Sequence, residues 1–80
     1  MTVAQERAWR DLWPRYGLRD TDETLDLDAA FGRAAARTLE IGFGNGESLV
    51  ALAQAHPDED FLGIEVHRPG VGHLMLRAES

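Results

Sequence analysis

The sequence contains no cysteine, which excludes disulfides, thiolate metal sites and a thiol nucleophile. It also lacks lysine, and its eight arginines against fourteen acidic residues leave a net charge of −6. That sign disfavours a protein that holds a polyanion by bulk electrostatics. No apolar run approaches the ~20 residues of a membrane span, and the acidic start lacks the regions of a secretion signal. We therefore expect a cytoplasmic protein with no membrane segment.

The front of the chain, residues 1–36, is predicted to be a helix followed by a connecting segment. Apolar side chains recur every three or four positions over residues 3–16, which is the pattern of an amphipathic helix. Pro14 is expected to kink or end this helix, because its ring is incompatible with a helix interior. Residues 19–28 are polar and acidic and are predicted to be a loop, and a short apolar piece at 29–31 follows.

Residues 37–80 have a more regular pattern, which predicts strand, glycine-rich loop, helix, strand and helix. The predicted strands are 38–41 and 61–66, the helix between them is 48–56, and the last helix has Pro69 in its first turn. Two strands joined through a helix form a βαβ unit, so the strands should be parallel. The fold class is therefore predicted to be α/β, the start of a doubly wound sheet.

This sheet should be incomplete. Two parallel strands leave unpaired edges and are seldom stable in water, and a segment of 80 residues buries only ~60% of its unfolded surface. We therefore expect the chain to be a truncated domain whose remaining strands are missing.

Three glycines, Gly42, Gly44 and Gly46, lie where the first strand turns into a helix. Glycine there permits positive φ and lets a ligand approach the backbone, so the loop suits a nucleotide-like ligand. The dinucleotide fingerprint would place its third glycine at position 47, where the sequence has Glu47. A carboxylate at that helix start would also repel a pyrophosphate. The alternative interpretation is a tight turn without a ligand.

Two carboxylates, Glu40 and Glu65, lie near the ends of the two predicted strands, where α/β sheets bind ligands. Glu65 could accept hydrogen bonds from two ribose hydroxyls, and Glu40 could hold an ammonium group. S-adenosyl-L-methionine carries both groups and is cationic, so it is the expected ligand. Glu40 could equally be a solvated strand end. Glu65 in an apolar strand should need a partner or a ligand, since a buried carboxylate without one is costly.

His67, just after the second strand, could lie beside the ligand or be a polar loop residue. With no cysteine and no paired acidic spacing, no metal site is predicted. The remaining candidates are expected to be structural: His56 at a helix end, His73 on a helix surface, Trp9 and Trp13 in packing rather than base stacking, and Arg7, Arg10 and Arg15 on a solvated helix face.

The segments LEIGFGNGESL and FLGIEVHRPGVGHLM resemble the first two motifs of bacterial tRNA (guanine-N7-)-methyltransferases. The preceding QERAWRDLWPRYGL and LDLDAAFGR resemble the region ahead of those motifs, so the resemblance covers essentially the whole chain. It implies a Rossmann-like enzyme that uses S-adenosyl-L-methionine to methylate guanine N7 in the variable loop of tRNA. Later motifs, including a PDPWHK-like region for tRNA and catalysis, have no counterpart here.

The resemblance therefore implies no catalytic residue within this chain, and it implies tRNA contacts mostly outside it. The family's cofactor contacts correspond here to Glu40, Gly42, Gly44, Gly46 and Glu65, with His67 as an additional candidate. Two alternatives remain: a truncated, non-catalytic α/β segment with weak or no adenosine-ligand binding, and a nicotinamide dehydrogenase, which Glu47 disfavours. The 80 residues alone are expected to be inactive.

Overall fold

The computed structural model describes residues 1–19 and 23–80. Its described elements are the helices α1 Val3–Asp11, α2 Trp13–Tyr16 and α3 Leu27–Phe31, the strand β1 Arg37–Ile41, the helix α4 Glu47–Ala55, the strand β2 Asp60–Ile64 and the helix α5 Arg68–Glu79. Residues 20–22, part of the predicted loop, lie outside the described residues. The predicted α/β class is confirmed, with β1 and β2 pairing as parallel strands.

The two strands pair from Arg37 opposite Asp60 to Ile41 opposite Ile64, and α4 connects them. The prediction that β2 extends to residue 66 is wrong, because β2 ends at Ile64. The last backbone-to-backbone hydrogen bond between the two chain segments, among the described residues, is Gly42 N donating to Ile64 O over 2.7 Å. Beyond it, the Glu65 side chain accepts from nearby backbone N–H groups, so the chain leaves the sheet there.

Helix α1 begins with a reciprocal cap, in which the Thr2 hydroxyl accepts from Gln5 N and the Gln5 side chain accepts from Thr2 N. The helical pattern over 3–16 forms two helices, and the break at Leu12, just before Pro14, agrees with the prediction that Pro14 kinks or ends the helix. Pro14 has no N–H and its ring would clash with the carbonyl four residues back, so it can only occupy the first turn of a new helix.

The prediction of a loop through residue 28 is also wrong at its end, because α3 begins at Leu27. The Asp26 carboxylate accepts from Ala29 N over 3.1 Å, which satisfies one of the free N–H groups of the first turn. Gly32 ends the helix in the left-handed conformation, with φ of 72°. The Asp26 cap therefore stabilises a helix in a segment that is too short to show helical periodicity in its sequence.

The small core lies between α1 and α5 and between α4 and one face of the sheet. Ala8 of α1 and Met75 of α5 are each 1% exposed, and Leu49 of α4 is also buried. The opposite face of the sheet is open, since Ile41 is 74% and Ile64 is 49% exposed. Helices therefore cover only one face of this sheet among the described residues.

The N-terminal helix also reaches the start of α5. Trp9 Nε1 donates to the Arg68 carbonyl over 3.0 Å, and the Arg68 guanidinium lies 4.0 Å from the centre of the Trp9 ring. Trp9 stacks on Trp13 with ring centres 4.9 Å apart. The prediction that both tryptophans serve packing is confirmed.

Two features are absent from residues 1–19 and 23–80. None of the helices there is long and apolar enough to cross a membrane. The same residues include no group of three or more His, Asp or Glu side chains arranged to hold a metal ion.

Candidate cofactor-binding site

The loop between β1 and α4 has an unusual backbone conformation. Gly42, Gly44 and Gly46 have φ of 75°, 64° and 77°, so every second residue of the loop is left-handed. The loop is closed by Gly46 N donating to Phe43 O over 3.0 Å. Residues with a Cβ rarely adopt this conformation, so the glycine spacing seen in the sequence has a direct geometric cause.

Glu65 braces this loop from the end of β2. One carboxylate oxygen accepts from Gly44 N over 2.6 Å, and the other accepts from Val66 N over 2.8 Å and His67 N over 3.2 Å. These bonds, above all the one from Gly44, lower the pKa of Glu65 below its ordinary value of 4.5. The carboxylate is therefore ionised at neutral pH.

The structure differs in part from the prediction for Glu65. The apolar pattern of residues 61–66 predicts a carboxylate inside a strand that needs a partner or a ligand. It lies just after β2 instead, and backbone N–H groups supply its partners. Glu65 is half-buried, and it lies at the carboxyl end of the sheet, directly beside the loop.

The other predicted residues lie at the same end of the sheet. Glu40 is half-buried in β1 and is paired with Gly63 of β2. His67 is the N-cap residue of α5, and it donates to Glu65 through its backbone N–H rather than through the imidazole. The structure thus joins Gly44, Glu65 and His67 directly, and no hydrogen bond between described residues joins Glu40 to them.

Helix α5 packs tightly against the loop. A Cβ on Gly70 would collide with the Gly44 carbonyl, and one on Gly46 would lie 2.5 Å from Leu74 Cδ1. His73 Nδ1 lies 3.0 Å from the Asn45 carbonyl oxygen. The prediction for His73, a helix-surface position, did not include this contact with the loop.

A signal for this packing was present in the sequence. Gly70 and Gly72 stand inside a helix, where glycine is unfavourable without a packing reason. The structure supplies that reason for each residue, since Gly70 lies against Gly44 and Gly72 against Gln5 of α1.

The loop has room for a ligand on one side. A Cβ built on Gly42 or Gly44 would meet no heavy atom of the described residues within 4 Å. Gly46, the N-cap of α4, offers no side-chain cap to the first-turn N–H groups. An open glycine backbone beside an ionised carboxylate fits a ligand with hydroxyl and cationic groups, which S-adenosyl-L-methionine has.

A separate apolar cleft of about 1010 Å³ runs from the α1–α2 region to β2 and α5. Glu65 and Phe43 line it, together with Trp9 and Arg68. The three loop glycines do not line this cleft, although Phe43, which lies between two of them in the sequence, does.

Known proteins include relatives that are similar to this chain along its whole length. It is 59% identical to a tRNA (guanine-N(7)-)-methyltransferase of Alkalilimnicola ehrlichii, an alignment that covers 100% of this chain and 35% of that protein. It is also 59% identical to the protein of the same name from Nitrosococcus oceani, over 100% of this chain and 34% of that protein. The chain thus spans about a third of the length of these curated relatives.

A model of a methyltransferase family, Methyltransf_4, matches residues 34–80. The matched region contains the glycine loop, both strands and helices α4 and α5. It covers more than half of the 80 residues. The chain therefore belongs to this methyltransferase family.

Proposed function

We propose that these residues form the cofactor-binding part of a tRNA (guanine-N7-)-methyltransferase, which transfers a methyl group from S-adenosyl-L-methionine to guanine N7 in the tRNA variable loop. The observation that carries the proposal is the glycine loop braced by Glu65, in a chain 59% identical along its length to a relative of that name. Residues 37–80 would be the first βαβα part of a Rossmann-like domain, preceded by the N-terminal segment 1–36. An enzyme acting on tRNA would work in the cytoplasm.

Each predicted site residue has a proposed role in holding the cofactor. Glu65 would accept hydrogen bonds from the ribose hydroxyls, while its existing bond to Gly44 N keeps its carboxylate in place. Glu40 would hold the ammonium of the methionine portion, directly or through water. The glycine backbone would let the ligand approach closely, and His67 would flank it at the start of α5.

The bound cofactor supplies an electrophilic methyl group on a positively charged sulfur. Guanine N7 carries no proton, so its attack needs no general base, and alignment of the two reactants accounts for most of the acceleration. The residues of this chain accordingly bind and orient, and none of them is assigned a proton-transfer role. The carboxyl groups of Glu65 and Glu40 would favour a cationic ligand over an anionic one.

Calorimetric titration of the intact protein with S-adenosyl-L-methionine tests the cofactor site. Glu65→Gln should weaken binding about 10- to 100-fold, since hydrogen bonds to a charged group are lost. Glu6→Gln, an exposed change on α1, is the matched control and should bind like the parent. Tight NADH binding without S-adenosyl-L-methionine binding would instead favour a dinucleotide enzyme.

Methyl transfer tests the substrate. The intact protein should label a tRNA transcript from methyl-labelled cofactor, and replacement of the target guanosine by 7-deazaguanosine should abolish labelling because N7 is gone. Equal labelling of both transcripts would refute N7 as the acceptor.

A second candidate is a non-catalytic α/β segment that binds adenosine ligands weakly or not at all. The observation that favours it is the open sheet face, where Leu39 is 53% and Ile41 is 74% exposed. For the 80 residues alone, this candidate predicts partial unfolding by circular dichroism and weak calorimetric binding. Micromolar binding by a cooperatively melting monomer would exclude it.

A further inference from the structure

His73 contacts the glycine loop at the peptide group that joins Asn45 to Gly46. Its Nδ1 is 3.0 Å from the Asn45 carbonyl oxygen, and its side chain is 31% exposed. Its Nε2 is 3.8 Å from Glu47 Oε1, which is too long for a hydrogen bond. The Nδ1 contact therefore fixes the ring. Because a carbonyl oxygen can only accept, Nδ1 must carry the proton.

The peptide that His73 contacts is held at both ends. Its carbonyl is that of Asn45, and its N–H is that of Gly46, which donates to Phe43 O over 3.0 Å. This peptide leads directly into α4, whose first turn begins at Glu47. The residues on either side of Asn45, Gly44 and Gly46, are glycines, so neither has a side chain that restricts the backbone there.

We infer that His73 is a positioning residue for cofactor binding, which fixes the Asn45–Gly46 peptide by donating from Nδ1. Glu65 braces the loop at Gly44, Leu74 supports it at Gly46, and His73 completes the set from α5. Without the imidazole donor the loop would have to be ordered when the ligand binds, and that ordering weakens affinity. The inference rests on the proposed function for the identity of the ligand.

The tautomer of His73 tests the geometry without any ligand. Long-range nitrogen–proton NMR correlations on the intact wild-type protein, with the ring neutral, should show the proton on Nδ1. A proton on Nε2, or rapid exchange between the two tautomers, would overturn the inference. If wild-type protein fails to bind S-adenosyl-L-methionine but carries the Nδ1 proton, the proposed function fails and the positioning contact stands.

Two substitutions of His73 then test the effect on binding. His73→Asn keeps an N–H near the place of Nδ1, whereas His73→Leu removes the donor. Calorimetry on the intact protein should show S-adenosyl-L-methionine binding weakened about 3- to 10-fold by His73→Leu, the scale of one hydrogen bond, and changed less than about twofold by His73→Asn. His56→Asn, at the distant end of α4, is the matched control and should not change affinity.

Steady-state kinetics separate positioning from general damage. His73→Leu should raise KM for the cofactor and leave kcat within about twofold, since the loss falls on binding. Equal losses of affinity in the Leu and Asn variants, or no loss in the Leu variant, would overturn the inference. If the Leu variant does not fold, the Asn variant decides, because affinity near the parent supports the donor role and a large loss contradicts it.

Discussion

Asp60 at the start of β2 joins three parts of the chain and is the best place to perturb the fold away from the proposed site. Its side chain is 3% exposed, and it accepts from Arg33 Nε over 2.8 Å and from Arg37 Nε over 3.1 Å. Arg33 also donates to the carbonyls of Pro57 and Glu59. The carboxylate therefore ties the segment before β1 to the turn before β2.

The expected effect of Asp60→Ala follows from this burial. Removing one partner of a fully buried ion pair costs about 3–5 kcal/mol, because an uncompensated charge remains. Here Arg33 and Arg37 are 43% and 22% exposed, so water can solvate them after the change. The loss should therefore be about 2–3 kcal/mol of unfolding free energy. For a chain of this size that corresponds to a Tm lower by roughly 10–20 °C.

Urea and thermal unfolding followed by circular dichroism measure this loss. Asp58→Ala is the matched control, because Asp58 lies in the same turn and is exposed. Asp60→Asn should fall between them, since the amide oxygen keeps one acceptor and loses the charge. If Asp60→Ala unfolds within about 0.5 kcal/mol of Asp58→Ala, the range of ordinary surface changes, then the buried carboxylate does not stabilise this fold as argued.

Gly46→Ala should lower the free energy of unfolding in urea by about 3 kcal/mol, because its φ is 77° and the Leu74 side chain of α5 fills the space that a Cβ would need. Gly44→Ala should lower it by about 1 kcal/mol, because only its φ is unfavourable. Equal losses would contradict the packing of Leu74 against Gly46. The pKa of Glu65 lies below 4.5, so its bonds stabilise fully above that pH and are lost as the pH falls through the lower folded value; a carbon-13 carboxyl titration at or above 4.5 would contradict this. Burial, then a bond to Glu79, raises the pKa of Tyr16 above 10.0. The stabilisation that the protonated Tyr16 hydroxyl contributes is therefore full below pH 10.0 and is lost as the pH rises through the pKa of the folded protein. Tyr16 is the chain's one tyrosine, so tyrosinate absorbance reports its titration directly.

The order and pairing of the regular elements could be predicted because their signals are local. An apolar strand, a run of glycines and a helix-forming segment each show within a few residues, and the parallel pairing of β1 and β2 follows from the helix between them. The end of β2 could not be predicted this way. Glu65 continues the strand pattern in sequence, but its carboxylate competes for backbone N–H groups that a longer strand would use.

The residues of the candidate site differ in how far the sequence alone predicts their positions and contacts. The glycine loop and Glu65 carry signals that depend on backbone geometry, and both lie together as the sheet topology requires. His73 lies 28 positions from its partner Asn45, and periodicity describes only how a residue lies on its own helix. The contact of His73 could be predicted only if the packing of α5 against the loop were known. The glycines of α5 indicate that packing only when they are considered together.

Helix α5 connects the N-terminal helix to the glycine loop although α1 itself does not form the loop. Trp9 holds the Arg68 carbonyl at the first turn of α5, and the residue before it, His67, donates its N–H to Glu65. Glu65 in turn holds Gly44. Each of these contacts is a hydrogen bond to a backbone group, so a shift of α5 relative to the sheet would change the conformation of the glycine loop. The packing of α1 against α5 therefore contributes to the shape of the candidate site. Glu65 is one of the acidic residues that give the chain its net negative charge, and here its carboxylate orients backbone N–H groups.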